Sequence, residues 1–295
     1  MQAVAAWLVA RPQNAILGLA VTLMLPFPQI FSGAVMALLV LHQGPVKSVL
    51  QAALAAALLA VIALIVNASA MQMLANGFVT WLPVLLLASL LRHWRSVNLA
   101  LQVSVIVAVL IMLTFFVVVA DPTAFWKAVL TELSPVFAQM GFQEQADVLL
   151  TQQDLIAPQM TILVVFTSWS VVVGVTLLGY ALLQQLPGQS MRFGRFCDFS
   201  FGRVLAIVMA VISVFAMVIS TAWIQNLAFL MFAVFWIQGL AIAHWLYAEG
   251  RLPVFALVLV YILLPVLNFL MIVGLAIAGY ADAWFAFRRR MVREN

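Results

Sequence analysis

Charge is almost absent from this chain. Only 7% of its 295 residues are Asp, Glu, Lys or Arg, and 67% are hydrophobic. Soluble domains run at about 25% charged and about 45–50% apolar. So few polar residues cannot cover an apolar interior of this size, which excludes a water-soluble globule. Cysteine is nearly missing as well. Cys197 stands alone, so there is no intrachain disulfide and no metal centre built on several thiolates. The three histidines, His42, His93 and His244, are scattered, and no His-Glu-x-x-His pair occurs. A phosphate-cradling Gly-rich loop ending in Lys-Ser or Lys-Thr is lacking, which excludes an ATPase of that kind. Ser168, Ser170, Ser213 and Ser220 stand in apolar runs without a Gly-x-Ser-x-Gly motif. Serines so placed pack or bond to the backbone. The expectation is a protein that is not an enzyme, with no cofactor and no metal. No basic region precedes the first apolar run, so no cleaved signal peptide is expected.

What charge there is falls unevenly. Residues 121–157 hold Asp121, Glu132, Glu144, Asp147 and Asp154 against Lys127, a net of −4, which leaves +8 for the rest. The basic residues stand in short hinges: Arg11, Lys47, Arg92 with Arg95, Arg192 with Arg195 and Arg203, and the tail Arg288, Arg289, Arg290 and Arg293. That is the cytoplasmic bias of a membrane protein, and no basic face exists for nucleic acid.

A helix needs about 20 apolar residues to cross the hydrocarbon. Residues 1–43 break at Arg11-Pro12 and Pro26-Phe27-Pro28 and close at His42-Gln43-Gly44-Pro45, the pattern of a broken, closely packed helix pair. Ordinary spans follow near 46–66, 71–91, 97–120, 159–184, 204–222 and 224–248. Pro83 marks a second candidate break, freeing the carbonyl of Val79. The run 252–284 would reach about 50 Å as one helix, against a core of about 30 Å. With Pro265 in its middle it is either one kinked helix or two short halves. Placing Arg92 and Arg95 inside puts 121–157 outside, and a hairpin at 252–284 returns the basic tail to the cytoplasm. The predicted fold is all-α: a polytopic bundle of about eight spans plus a C-terminal helical hairpin or kinked helix. It forms a single integral membrane domain over 1–295, in the inner (plasma) membrane, with both termini cytoplasmic. The segment 288–295 is its basic cytoplasmic tail.

The insertion at 121–157 is expected outside, as amphipathic helices lying on the surface or covering an opening. Phe125, Val129 and Leu133 recur at helical spacing. Ser134-Pro135 reads as the start of a second short helix, Gly141 as its stop, and 143–155 as a third piece.

Uncharged polar residues inside the spans are the candidate site. Asn226, Gln238 and His244 lie on one predicted helix, with Gln238 turned about 120° from the other two. Asn268 follows Pro265 by three residues, and a polar residue beside a freed carbonyl is how carriers build sites from broken helices. Gln238, His244 and Asn268 are therefore the predicted substrate-binding residues. The alternative is that Gln238 and Asn268 bond to neighbouring helices as packing glue. Trp81, Trp169, Trp223 and Trp236 line a cavity or form interfacial belts. Ala52, Ala56 and Ala60, with Ala53 and Ala57 alongside, form a small-residue stripe that allows close helix approach. Asp282 is expected to pair with a nearby arginine or to bond helix-end amides.

The C-terminal third resembles the YybS-like family of uncharacterised bacterial membrane proteins. The resemblance rests on Gln238-Gly239-Leu240-Ala241-Ile242-Ala243-His244 and on Asp282-Ala283-Trp284-Phe285-Ala286-Phe287-Arg288. It implies distant similarity to the substrate-binding (S) components of energy-coupling-factor transporters, and to the cell-shape protein MreD. Pro26-x-Pro28 followed by a helix ending in Gly44-Pro45 is loosely similar to those S components. Such proteins bind a vitamin or metal ligand and borrow a separate energising module. The alanine stripe here lies on the third apolar run, whereas S components carry their docking motif on the first helix. The expected function is binding or transport of a small organic solute. The alternative is a non-transporting, MreD-like scaffold for envelope assembly or division. Expected partners are the lipid bilayer, a small-molecule ligand and a separate energising or envelope-assembly protein, with no nucleic acid.

Overall fold

A computed structural model of the protein describes residues 2–188, 193–219, 221–288 and 291. Arg192, Ser220, Arg289, Arg290 and Arg293 lie outside the described residues.

All regular structure among the described residues is helical. In chain order the helices are α1 (Gln2–Ala10), α2 (Pro12–Leu23), α3 (Pro28–Gln43), α4 (Pro45–Ile65) and α5 (Ala70–Trp94). Then come α6 (Val97–Val118), α7 (Pro122–Gln139), α8 (Gln143–Thr151), α9 (Gln153–Gln184) and α10 (Gly202–Val218). The last are α11 (Ala222–Ala233), α12 (Trp236–Ala248), α13 (Val254–Leu267) and α14 (Phe269–Phe285). Among the described residues, five helical stretches are long and apolar enough to cross a membrane: α4, α5, α6, α9 and the α11–α12 run. A sixth is counted if α1 and α2, bent by 119°, form one broken span. This is a multi-pass helical membrane protein.

The chain divides into two compact units, Met1–Ser104 with Trp169–Phe196, and Val105–Ser168 with Cys197–Asn295. In the first, α3 is the centre: every residue from Ser32 to Leu41 is buried, as expected of a helix apolar on all sides. Trp81 Nε1 donates to Ser32 Oγ (2.8 Å), which donates to the Leu19 carbonyl (3.1 Å), so one hydroxyl ties α5, α3 and α2 together. Arg92 Nη1 donates to the Leu41 carbonyl (2.5 Å) at the end of α3, where helix carbonyls lack internal partners. Tyr180 donates to the Gly194 carbonyl (2.7 Å) and accepts from Phe193 N (3.0 Å), fixing that segment to α9. Pro83 does not interrupt α5, which runs continuously to Trp94. On α4 the buried face is Ala52, Ala55, Leu59 and Ala63, while Ala56 and Ala60 are half-buried.

In the second unit the closest packing is α12 against α14. A Cβ at Gly239 would overlap the Leu275 backbone carbonyl, and one at Gly279 would overlap the Phe235 carbonyl. Glycine at both positions is what lets the two backbones touch. Helices α10 and α11 pack beside α14, and α13 lies along α12 and α14. Asn226 on α11 is inserted at the start of α9. Its Oδ1 accepts from Ile162 N (3.1 Å) and its Nδ2 donates to the Pro158 and Ala222 carbonyls (3.3 and 2.8 Å).

Three local expectations are corrected. Helix α7 continues through Pro135, because Leu130 and Ser134 are buried and Ser134 Oγ donates to the Ala146 carbonyl of α8 (3.2 Å). Tertiary packing there outweighs the proline. The apolar run 224–248 is interrupted near Val234–Phe235, so Asn226 and Gln238 stand on different helices. Gly141, at φ 87°, does lie just past the end of α7. The run 252–284 is two helices, with the break at Asn268 rather than at Pro265, which stays inside α13.

Candidate functional site

Gln238 is fully enclosed, at 0% exposure. It stands one residue before the glycine that lets α12 touch α14, and its amide is divided between two partners. Oε1 accepts from Phe201 N (2.8 Å) and Nε2 donates to Asp282 Oδ2 (2.9 Å). Asp282, on the last turn of α14, is 4% exposed and Arg288 8%. Arg288 reaches back over the helix end. Its Nη2 and Nε contact Asp282 Oδ2 at 2.6 and 3.2 Å. Nη1 then donates to the Cys197 carbonyl (2.6 Å) and Nη2 to the Phe199 carbonyl (2.8 Å). The pair therefore binds α14 to α12 and to the segment 197–201.

Charge buried this way is held only because the groups neutralise and hydrogen-bond one another. Aromatic rings exclude water around it. Phe199 meets Phe201 at 4.7 Å between ring centres, Phe201 meets Phe235 at 5.3 Å, and Phe235 meets Tyr280 at 5.4 Å, all edge to face. One carboxylate oxygen is left over. Asp282 Oδ1 is buried and has no hydrogen-bond partner among the described residues, and neither has Trp236 Nε1.

His244, on the same helix as Gln238, is turned elsewhere. Its Nε2 lies 2.7 Å from the Tyr261 hydroxyl of α13, with the rings edge to face. Asn268 caps the break between α13 and α14 at φ 32° and ψ −97° and is exposed. The three predicted residues thus do not converge on one point. Gln238 belongs to the ion-pair cluster, His244 to a pair with Tyr261, and Asn268 to an open helix break.

Of the tryptophans, Trp81 and Trp169 donate to serines (Ser32 at 2.8 Å, Ser104 at 2.9 Å), and Trp223 is exposed. Sequence reasoning missed two contributors. Tyr261 gave no signal beyond being a hydroxyl in an apolar run, four residues before Pro265. The carbonyls of Cys197 and Phe199 are backbone groups that no side-chain pattern reveals. The expected arginine partner of Asp282 is present as Arg288. No group of three or more His, Cys, Asp or Glu side chains is arranged to hold a metal among the described residues. No protein-family model, no curated protein and no solved structure matches the chain.

Proposed function

We propose that this protein binds a small organic solute at the α13–α14 break, as an inner-membrane protein of the S-component kind. The observation that carries this is Asn268. Within an apolar stretch of some 32 residues, the helix stops and restarts at an exposed asparagine in an unusual backbone conformation. Interrupted backbone facing hydrocarbon is not tolerated, because freed amides and carbonyls have no partner there. Such breaks persist where they line a solvated or ligand-filled space. Carriers place their binding sites at breaks of this type. His244 and Tyr261 supply a second polar pair on helices adjoining the break. Gln238 acts as a positioning residue that holds α14 through Asp282. The meeting of Gln238 with Asp282 and Arg288 supports treating the two YybS-like motifs as one unit. On this reading both termini lie in the cytoplasm, and any transport would draw on a separate energising protein.

A scaffold of the MreD kind is the second reading. It is favoured by Gln238, whose burial and two internal bonds mark it as packing glue.

Native mass spectrometry of the protein, gently extracted from its own membranes, separates the two. A stoichiometric small-molecule adduct that is lost on Asn268→Ala and on His244→Ala, with folding intact, is the expected result. A mass free of any small molecule overturns the proposal, and stoichiometric protein partners in that spectrum turn the reading to the scaffold.

A further inference from the structure

The apolar stripe of α7 is left uncovered. At 100° per residue Phe125, Val129, Leu133, Val136 and Met140 fall within about 80° of arc. Four of the five are exposed: Phe125 by 42%, Leu133 by 39%, Val136 by 47% and Met140 by 67%. The neighbouring face, with Leu130 and Ser134, is buried toward α8. Thr131 lies on the polar side, away from both, while Lys127 borders the buried face and Glu132 falls about 20° outside the stripe, beside Phe125.

The start of α7 is tied to the ends of two membrane-length helices. Phe115, in the last turn of α6, meets Phe125 at 5.5 Å and Trp126 at 5.7 Å between ring centres. Trp126 Nε1 donates to Thr161 Oγ1 of α9 (2.8 Å), and Lys127 Nζ lies 2.5 Å from Asp154 in the first turn of α9. The exposed apolar end of α6 (Val117 83%, Val118 75%) stops just short of Asp121, the cap of α7. The start of α7 is therefore fastened to the end of α6 and the beginning of α9, two helices of membrane-crossing length.

We propose that α7 lies in the bilayer interface with this stripe among the upper acyl chains, and that lipid is its occupant. The interaction is apolar burial, not headgroup attraction. Residues 121–157 carry five carboxylates against Lys127, so anionic headgroups would repel them, and a zwitterionic surface is the fitting partner. The inference is independent of the solute-binding proposal.

The test uses the full chain carrying Cys197→Ser, reconstituted in phosphatidylcholine vesicles with and without brominated acyl chains. An environment-sensitive fluorophore is placed in turn at Leu133→Cys, Met140→Cys and Thr131→Cys. Circular dichroism confirms that each variant keeps its helix content. Quenching by bromolipid several-fold stronger at 133 and 140 than at 131 is the expected result. Equal, weak quenching at all three positions places the stripe in water and overturns the proposal.

Discussion

Among the described residues, Asp282 carries three hydrogen bonds on one oxygen and none on the other, and Arg288 supplies two of the three. Removing the guanidinium strands a buried carboxylate, a change that costs about 3–5 kcal/mol where such pairs are broken. Arg288→Met is therefore expected to lower the thermal unfolding midpoint in detergent markedly. The double change Asp282→Leu with Arg288→Met recovers most of the loss, since no charge is then left unpaired. An Arg288→Met protein as stable as the parent would show that the pair carries no weight. At this scale the sequence was partly readable. Asp282 stood out as a carboxylate at a helix end with arginines nearby. Gln238 stood out as an amide in an apolar helix, but its direction, toward α14 instead of into a cavity, was not readable. Direction depends on which helix lies alongside, and that is tertiary information.

Helices in this protein are positioned by a few polar insertions and a few missing side chains. The contact of α12 with α14 needs glycine at 239 and 279. Gly279→Val is expected to separate the two helices and to weaken the Gln238–Asp282 bond. The cost is at least that of ordinary overpacking, about 1–3 kcal/mol, because the clash is with backbone. Urea titration of the detergent-solubilised protein reads it. Asn226→Leu leaves buried backbone groups at Ile162 and Pro158 without that partner, for about 1–3 kcal/mol. Among the α9 amides, exchange protection should fall first at Ile162, whose N–H donates to Asn226. Hydropathy located these elements well: the predicted 46–66 became Pro45–Ile65 and 71–91 became Ala70–Trp94. It failed where proline was the only cue. Pro83 and Pro135 sit inside unbroken helices, where packing at the adjacent Val84 and Ser134 supplies what the local rule leaves out, and Pro265 stays inside α13.

For the molecule as a whole, the testable quantity is topology. Helix α6 is a single apolar crossing of 22 residues with Arg92 and Arg95 before it and the acidic segment 121–157 after it. With Cys197→Ser as background, Arg95→Cys should be modified only after cells are permeabilised. Glu144→Cys should react with a membrane-impermeant maleimide in intact cells. Labelling of both from one side would refute the orientation read from the positive-inside bias.

Composition alone determined the medium in which this chain folds. With so little charge and so much apolar surface, helices that satisfy their own backbone in lipid were the available solution. Periodicity and run length then set most helix positions, since each depends on some twenty consecutive residues and on nothing distant. Which polar atoms meet was decided only by the fold. Gln238, Asp282 and Arg288 span fifty residues of chain yet share one carboxylate oxygen. The break that opens the candidate site fell at Asn268, not at the proline beside it. Hydrogen bonds and backbone contacts act over about 3 Å, and no pattern along the sequence fixes a distance of that order between helices.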